Sequence, residues 1–162
     1  DEDNRPFYLG HPSMKYTQIP ARDGEAHGEI KRSNRWPNCS FFTNWVNEND
    51  SITWPVTVPK SGKFKVTLYY TCPEGDQGST IEVSFGQNNL QAKIKEAHDP
   101  PLIGMEKDLA PRIESYVKDW KAVDIGTMTM DKGEGLLCLK ALDMPGESVM
   151  DFRLFMFERI KP

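Results

Sequence analysis

The feature that most constrains the fold of this chain is a strict alternation of apolar and polar residues between Ser51 and Tyr70. Apolar side chains occupy every second position of two runs, first Ile52, Trp54, Val56 and Val58, then Phe64, Val66, Leu68 and Tyr70. The residues between the runs, Pro59-Lys60-Ser61-Gly62, are typical of a turn. Because successive side chains of a strand point to opposite faces, this period of two predicts two strands that each bury one face.

The same alternation returns later in the chain, at Ile81-Val83-Phe85, Leu90-Ala92-Ile94 and Leu137-Leu139-Ala141. A closing run over residues 149–160 is apolar on nearly both faces in its second half, which is typical of a central strand. Neither an internal repeat nor a convincing amphipathic helix of 10 or more residues is found, although residues 113–121 have a helical composition as well as a strand-like one. The pattern predicts an all-β antiparallel β-sandwich of about eight or nine strands.

The chain divides into a short irregular part and a regular part. Residues 1–28 contain three prolines and three glycines without a sustained period, which predicts an N-terminal arm or linker. Residues 29–162 are expected to form the sandwich domain, whose longest irregular segment runs over residues 95–115. Loops longer than about 12–15 residues inside a compact domain are often functional, so a site is expected to border this segment.

Composition excludes several classes of partner. The 162 residues correspond to one domain, with 24 acidic and 20 basic side chains and a net charge of -4 spread along the chain. This distribution does not build the basic face that nucleic acid requires. No apolar run approaches the roughly 20 residues of a membrane span, and residues 1–6 lack the apolar core of a signal peptide. Neither nucleic acid nor a membrane is therefore expected as a partner, and the chain could have been cut from a longer precursor.

Three cysteines leave at least one thiol unpaired. Cys138 lies between two leucines of a strand pattern and is expected to be a buried structural thiol. Cys39 and Cys72 lie in loop-like sequence. In an oxidising compartment they can form a disulfide with each other. The sequence alone does not establish the geometry that such a bridge needs, so free thiols remain the alternative.

Several segments carry a resemblance to known proteins. Trp54–Tyr70, Gly126–Leu139 and Asp151–Leu154 resemble jelly-roll carbohydrate-binding modules of the galactose-binding-domain-like type. More closely, the chain resembles the accessory domain at the carboxyl end of bacterial secreted arylsulfatases of the formylglycine-dependent type. The segments that carry this second resemblance span nearly the whole chain and are Pro20–Gly24, Pro37–Trp45, Tyr70–Glu74, Glu96–Pro101 and Glu114–Asp119.

The resemblance implies an extracytoplasmic setting, secreted or periplasmic, and a parent enzyme that hydrolyses sulfate esters on glycans. Such enzymes use a formylglycine made from the motif Cys/Ser-x-Pro-x-Arg together with a calcium ion. This chain lacks the motif, because Cys72-Pro73-Glu74 has the wrong spacing and neither Cys39 nor Cys138 has a proline two positions later. It is therefore expected to be a noncatalytic, carbohydrate-binding-like accessory domain of a sulfatase. The alternative is a structural module that packs against the sulfatase catalytic domain and has no ligand of its own.

Sugar binding needs an aromatic ring for the apolar face of a pyranose and polar groups for its hydroxyls. The available aromatic side chains are Trp36, Trp45, Tyr69, Tyr116 and Trp120, whereas Trp54 and Tyr70 fit core positions. The predicted set for a glycan, neutral or sulfated, consists of Trp45, His98, Asp99, Arg112, Tyr116 and Asp119. Any single aromatic residue of a sandwich can instead belong to the packing, and this alternative stays open.

Other chemistry is less well supported by the residues. His98 and Asp99 are an acid/base pair by type, but neighbouring residues of an extended chain point apart, and the following Pro100-Pro101 favours a stiff turn. The three histidines have no zinc-ligand spacing. The resemblance implies a structural calcium ion between an early strand and the last one, with Asp151 and either Glu25 or Glu29 as ligands. Alternatively, Asp151 pairs with Arg153 or caps a loop.

Overall fold

The computed structural model describes residues 7–33, 40–101 and 119–161, which form twelve β-strands and one 3-10 turn, Ala21–Asp23. The strands are β1 Phe7–Tyr8, β2 Tyr16–Pro20, β3 Glu25–His27, β4 Lys31–Arg32, β5 Phe42–Thr43, β6 Ser51–Val58, β7 Gly62–Thr71, β8 Thr80–Phe85, β9 Asn88–Lys93, β10 Lys121–Met130, β11 Gly133–Asp143 and β12 Asp151–Lys161. Within these ranges no helix has the length and apolar character that crossing a membrane requires.

The strands form two sheets that face each other. In the first sheet the order is β1-β6-β11-β8-β9, with β3 also paired to β6. In the second it is β10-β7-β12-β5-β4, with β2 also paired to β12. All pairs are antiparallel except β1 with β6, so the predicted antiparallel sandwich is confirmed. The closing strand β12 lies between β7 and two short strands, which confirms its predicted central position.

The core lies between the sheets and consists of the side chains that the alternation predicts to be buried. Buried and half-buried residues alternate along all of β6, and Trp54 is fully buried. Trp54 pairs with the buried Leu137 in the first sheet, and Val66 pairs with the buried Phe157 in the second. Burial of these large apolar side chains on facing sheets is the main force that holds the layers together.

The structure has more strands than the eight or nine predicted. The strands without a long alternating pattern are β1 to β5, which are two to five residues long and pair mainly along the edges of β6 and β12. A period of two cannot be recognised in segments this short. Leu9, Ile19 and Ala21 are fully buried, so the described part of the predicted arm packs on the sandwich. The domain boundary at residue 28 remains a prediction.

One of the two described cysteines differs from expectation. Cys72 is a buried free thiol in this structure, and its suggested partner Cys39 lies outside the described residues. Cys138 is half-buried rather than buried, because the alternation places it on the outer face of β11. Its neighbours across the strands are Thr53 and Ser84.

Candidate functional site

One end of the sandwich gathers polar and aromatic residues from four distant parts of the chain. At this end β7 ends, and both β10 and β12 begin. Thr71 is paired there with Asp151, and Tyr70 is paired with Lys121. Strand β5 reaches the same end through the pairing of its Phe42 with Phe152. We call this end the loop pole and define it by Phe41, Thr43, Cys72, His98, Asp119, Trp120 and Asp151.

The aromatic part of the loop pole consists of Trp120 and Phe41. Their ring centroids are 5.0 Å apart and the planes meet at 66°, an edge-to-face contact. Phe41 is 9% exposed, whereas Trp120, which directly precedes β10, is only partly buried. Aromatic pairs favour this geometry because the positive edge of one ring meets the negative face of the other. The contact orients the indole and leaves part of it accessible.

His98 connects the described residues just before the 102–118 segment with those just after it. We call these two sets of flanking residues the stems of the segment. Its backbone forms two hydrogen bonds with Cys72, in which each amide donates to the other carbonyl at 2.8 and 2.9 Å. Its ring Nε2 lies 2.6 Å from the carbonyl oxygen of Asp119. Because a carbonyl can only accept, Nε2 carries the proton and donates it. This nitrogen is therefore occupied by a structural hydrogen bond.

A second set of contacts fixes the first stem against the second sheet. The hydroxyl of Tyr70 donates to the carbonyl oxygen of Glu96 at 2.7 Å, and burial is the main cause that raises the pKa of Tyr70 to about 12. The Glu96 carboxylate lies 2.9 Å from the ammonium of Lys121. This hydrogen bond with Lys121 lowers the pKa of Glu96. The stem is thus held in one position on β7 and β10.

The thiol of Cys72, which is buried within the loop pole, is unreactive. Burial is the largest cause, and together with the carboxylates of Asp76, Asp151 and Asp99, in that order, it raises the pKa of Cys72 to about 11. A nucleophilic cysteine needs the opposite, a positive environment that stabilises the thiolate. At neutral pH this thiol is protonated. The effect of the three carboxylates also shows that the surroundings of Cys72 are acidic.

The predicted calcium ligands do not come together. Asp151 begins β12 in the second sheet and accepts a hydrogen bond from the hydroxyl of Thr43 at 2.8 Å. Glu25 lies on β3 of the first sheet, and the alternative ligand Glu29 is exposed. In the described ranges no group of three or more histidine, cysteine or acidic side chains is arranged to hold a metal ion. Because calcium prefers six to eight oxygen ligands, the Asp151 and Glu25 set does not fit this ion.

The predicted sugar-binding residues are only partly assembled. His98, Asp99 and Asp119 come together at the loop pole, as the position of the long loop indicated. Trp45 is 1% exposed, so its ring belongs to the core and offers no face to a ligand, a correction to the prediction. Arg112 and Tyr116 lie outside the described residues. Trp120 is outside the predicted set, although its place beside Asp119 just before a strand is a signal for it.

Comparison with known proteins finds similarity in structure alone, since no protein-family model and no curated protein matches the chain. The carboxyl-terminal CBM6 module of a laminarinase from Zobellia galactanivorans superposes with a TM-score of 0.59 at 10% identity, covering 89% of this chain and 99% of that one. A CBM6 module of Cellvibrio mixtus lichenase 5A, solved in complex with cellotriose, gives 0.59 at 11% identity, covering 90% and 98%.

The third comparison is with a much longer chain. The GH26-CBM35 β-(1,4)-mannanase of Podospora anserina gives a TM-score of 0.57 at 10% identity over 91% of this chain. The match covers only 28% of the mannanase. At these identities the similarity establishes the fold: this chain is an all-β two-sheet sandwich like those of carbohydrate-binding modules.

Proposed function

We propose that this chain is a noncatalytic carbohydrate-binding module whose ligand site is the loop pole. The observation that carries the proposal is the partly exposed Trp120, whose ring packs edge-to-face against Phe41 and which directly follows Asp119, the residue whose carbonyl accepts the hydrogen bond of His98. The fold shared with carbohydrate-binding modules supports the same conclusion.

The chemistry of the loop pole matches what a sugar presents. A pyranose ring has a C–H face that packs on an aromatic surface, and hydroxyl groups that both donate and accept hydrogen bonds. Trp120 supplies the surface, and the carboxylates of Asp99 and Asp119 supply acceptors at its edge. The stems that carry these groups are fixed by His98 and Tyr70, so little ordering is required when a ligand binds.

Replacing Trp120 with alanine is expected to weaken glycan binding by about 30-fold, because the loss of an aromatic anchor costs about 2 kcal/mol or more. The measurement is isothermal titration calorimetry of the 162-residue chain with cellotriose, laminaritriose and mannotriose at millimolar concentration. Tyr16→Ala is the matched control, since Tyr16 is an exposed aromatic residue near the other end of β12. Equal affinities of the two variants, or no binding by the unaltered chain, would contradict the proposal.

The biological setting follows from the sequence resemblance. We propose that the parent protein is a secreted or periplasmic sulfatase. Its substrate is a neutral or sulfated glycan, which this domain holds close to the catalytic domain. Including sulfated oligosaccharides in the titrations tests the ligand. The acidic surroundings of Cys72 favour the neutral ligands, because a sulfate group would be repelled by Asp76, Asp99 and Asp151.

A second candidate function is support of a neighbouring catalytic domain, and one specific observation favours it. Tyr8, Met14 and Tyr16 are 63%, 56% and 51% exposed, and all three lie in the predicted arm. Where exposed apolar side chains form one patch, they mark a surface that contacts other proteins. This reading predicts that removing the domain lowers the melting temperature of the parent enzyme by several degrees, measured by calorimetry. An unchanged melting temperature would leave sugar binding as the better account.

A further inference from the structure

A large cavity of the described structure is not lined by any residue of the loop pole. It has a volume of about 990 Å³ and opens where the edge of β6 is incompletely paired. Strand β3 pairs with residues 51–53 of β6 and β1 pairs with residues 56–57, which leaves a gap on this side at Trp54 and Pro55. Pro55 suits a gap of this kind, because it has no N–H to leave unpaired at a sheet edge.

One wall of the cavity is apolar. Leu136 pairs with Pro55 across β6 and β11, and Phe7 lines the cavity beside them. Leu136 is 58% exposed, the most exposed leucine of the described residues. Leu136, Pro55 and Phe7 together form an apolar surface at the mouth of the cavity. Such a surface is what the C–H face of a ring contacts when it leaves water.

A second part of the lining, which we also call a wall, is charged and held rigidly. It includes Asp23 and Glu25, with Lys31 and Arg32 beside them. The guanidinium of Arg32 donates to the carbonyl oxygens of Ala21 at 2.9 Å and of Gly24 at 2.7 Å, which fixes the turn that precedes Glu25. The charge of Arg32 is therefore used within the protein. The wall is formed before any ligand arrives, which reduces the cost of binding.

Two groups on this wall remain available to a ligand. Among the described residues neither Glu25 nor Lys31 forms an ion pair or a side-chain hydrogen bond, and both are exposed. Their charges have opposite signs, so a ligand of high charge would be attracted by one and repelled by the other. A hydroxyl group donates to a carboxylate and accepts from an ammonium, and it satisfies both. A neutral polyhydroxylated ring with one dry face fits these walls best.

We propose that this cavity is a second ligand site, separate from the loop pole, that binds one or two neutral sugar residues. Leu136 and Pro55 contact the apolar face of the ring, and Glu25 and Lys31 bind its hydroxyls. The inference rests on the proposed function for the class of ligand, but not for the location of the site. Two sites on one domain let a single module hold two chains, or two points of one chain, and so raise the apparent affinity for a polymer.

The test is a nuclear magnetic resonance titration of the isotope-labelled 162-residue chain with the three trisaccharides used above. The methyl signals of Leu136 and the amide signals of Glu25 and Lys31 are expected to shift and to saturate independently of the indole signal of Trp120. Leu136→Ser removes the apolar surface at the mouth of the cavity and should weaken binding there by about tenfold or more, without changing the shifts at Trp120. Leu142→Ser is the matched control, since Leu142 is an exposed leucine on the same strand outside the cavity.

The outcomes separate the two proposals. Shifts at Trp120 without shifts at Leu136 would overturn the second site and leave the proposed function intact. Shifts at Glu25 and Lys31 that Leu136→Ser removes and Trp120→Ala does not would establish the cavity as a site of its own. If Leu136→Ser and Leu142→Ser weaken binding equally, the cavity is not the site. If no trisaccharide shifts either set of signals, both proposals fail.

Discussion

Replacing Trp54 with alanine is expected to lower the free energy of unfolding by about 3–5 kcal/mol, the usual cost of removing a large buried aromatic side chain. Trp54 is fully buried, and its ring centroid lies 5.5 Å from that of Phe152 and 6.1 Å from that of Phe155 on the facing sheet. Its indole N–H donates to the carbonyl oxygen of Pro20 at 2.9 Å. The substitution therefore opens a cavity between the sheets and also leaves a buried carbonyl unpaired.

Urea denaturation followed by fluorescence and circular dichroism measures this loss. Trp54→Phe separates its two causes, because phenylalanine keeps most of the ring contacts but cannot donate to Pro20. We expect Trp54→Phe to cost about 1–2 kcal/mol, the penalty for one unsatisfied buried group. A loss below about 1 kcal/mol for Trp54→Ala would show that the two sheets do not pack around this residue.

Replacing Gly28 with alanine is expected to cost about 3 kcal/mol, from backbone strain together with a steric clash. Gly28 has φ +96, and a Cβ atom there would lie 1.9 Å from Oδ1 of Asp50. Asp50 is 6% exposed, and its Oδ2 accepts a hydrogen bond from the amide of Glu29 at 2.8 Å. Relief of the clash requires the carboxylate to move, which breaks this charge-assisted hydrogen bond.

Gly75 provides an unusually close control for this substitution. Its φ of +98 is nearly the same, but a Cβ atom at Gly75 would meet nothing within 4 Å. Gly75→Ala therefore carries the backbone strain alone, about 1–2 kcal/mol. Thermal and urea denaturation of the two variants give the difference, which reports the clash with Asp50. Equal losses for both would mean that Asp50 moves aside freely and that its bond to Glu29 contributes little.

The parts of the fold that could be predicted are those with a long local signal. β6 and β7 are eight and ten residues long, and their buried positions follow the alternation that begins at Ile52 and at Phe64. Ile81, Val83, Leu137 and Leu139 are also fully buried, as predicted. A strand buried on one face must repeat every two residues, so eight residues carry enough repeats to be recognised. β1 and β4, with two residues each, carry none.

The site was harder to predict because exposure of an aromatic ring is not a local property. Trp45 lies in polar sequence, yet the second sheet and the loop before β12 enclose it, and its carbonyl accepts a hydrogen bond from the amide of Val149 at 2.9 Å. Trp120 lies in similar surroundings in the sequence, and the end of the sandwich leaves it partly open. The side chains that decide between these outcomes are far away along the chain.

The sequence by itself determined that this protein is a β-sandwich, since the faces of its long strands are set by neighbours two positions apart. It also placed the loop beside which His98, Asp99 and Asp119 meet. Only the tertiary structure decided which tryptophan is accessible, that Asp151 and Glu25 lie on different sheets, and that the edge of β6 opens into a cavity. These features depend on contacts between residues separated by many positions, and the packing of two sheets brings such residues together or keeps them apart.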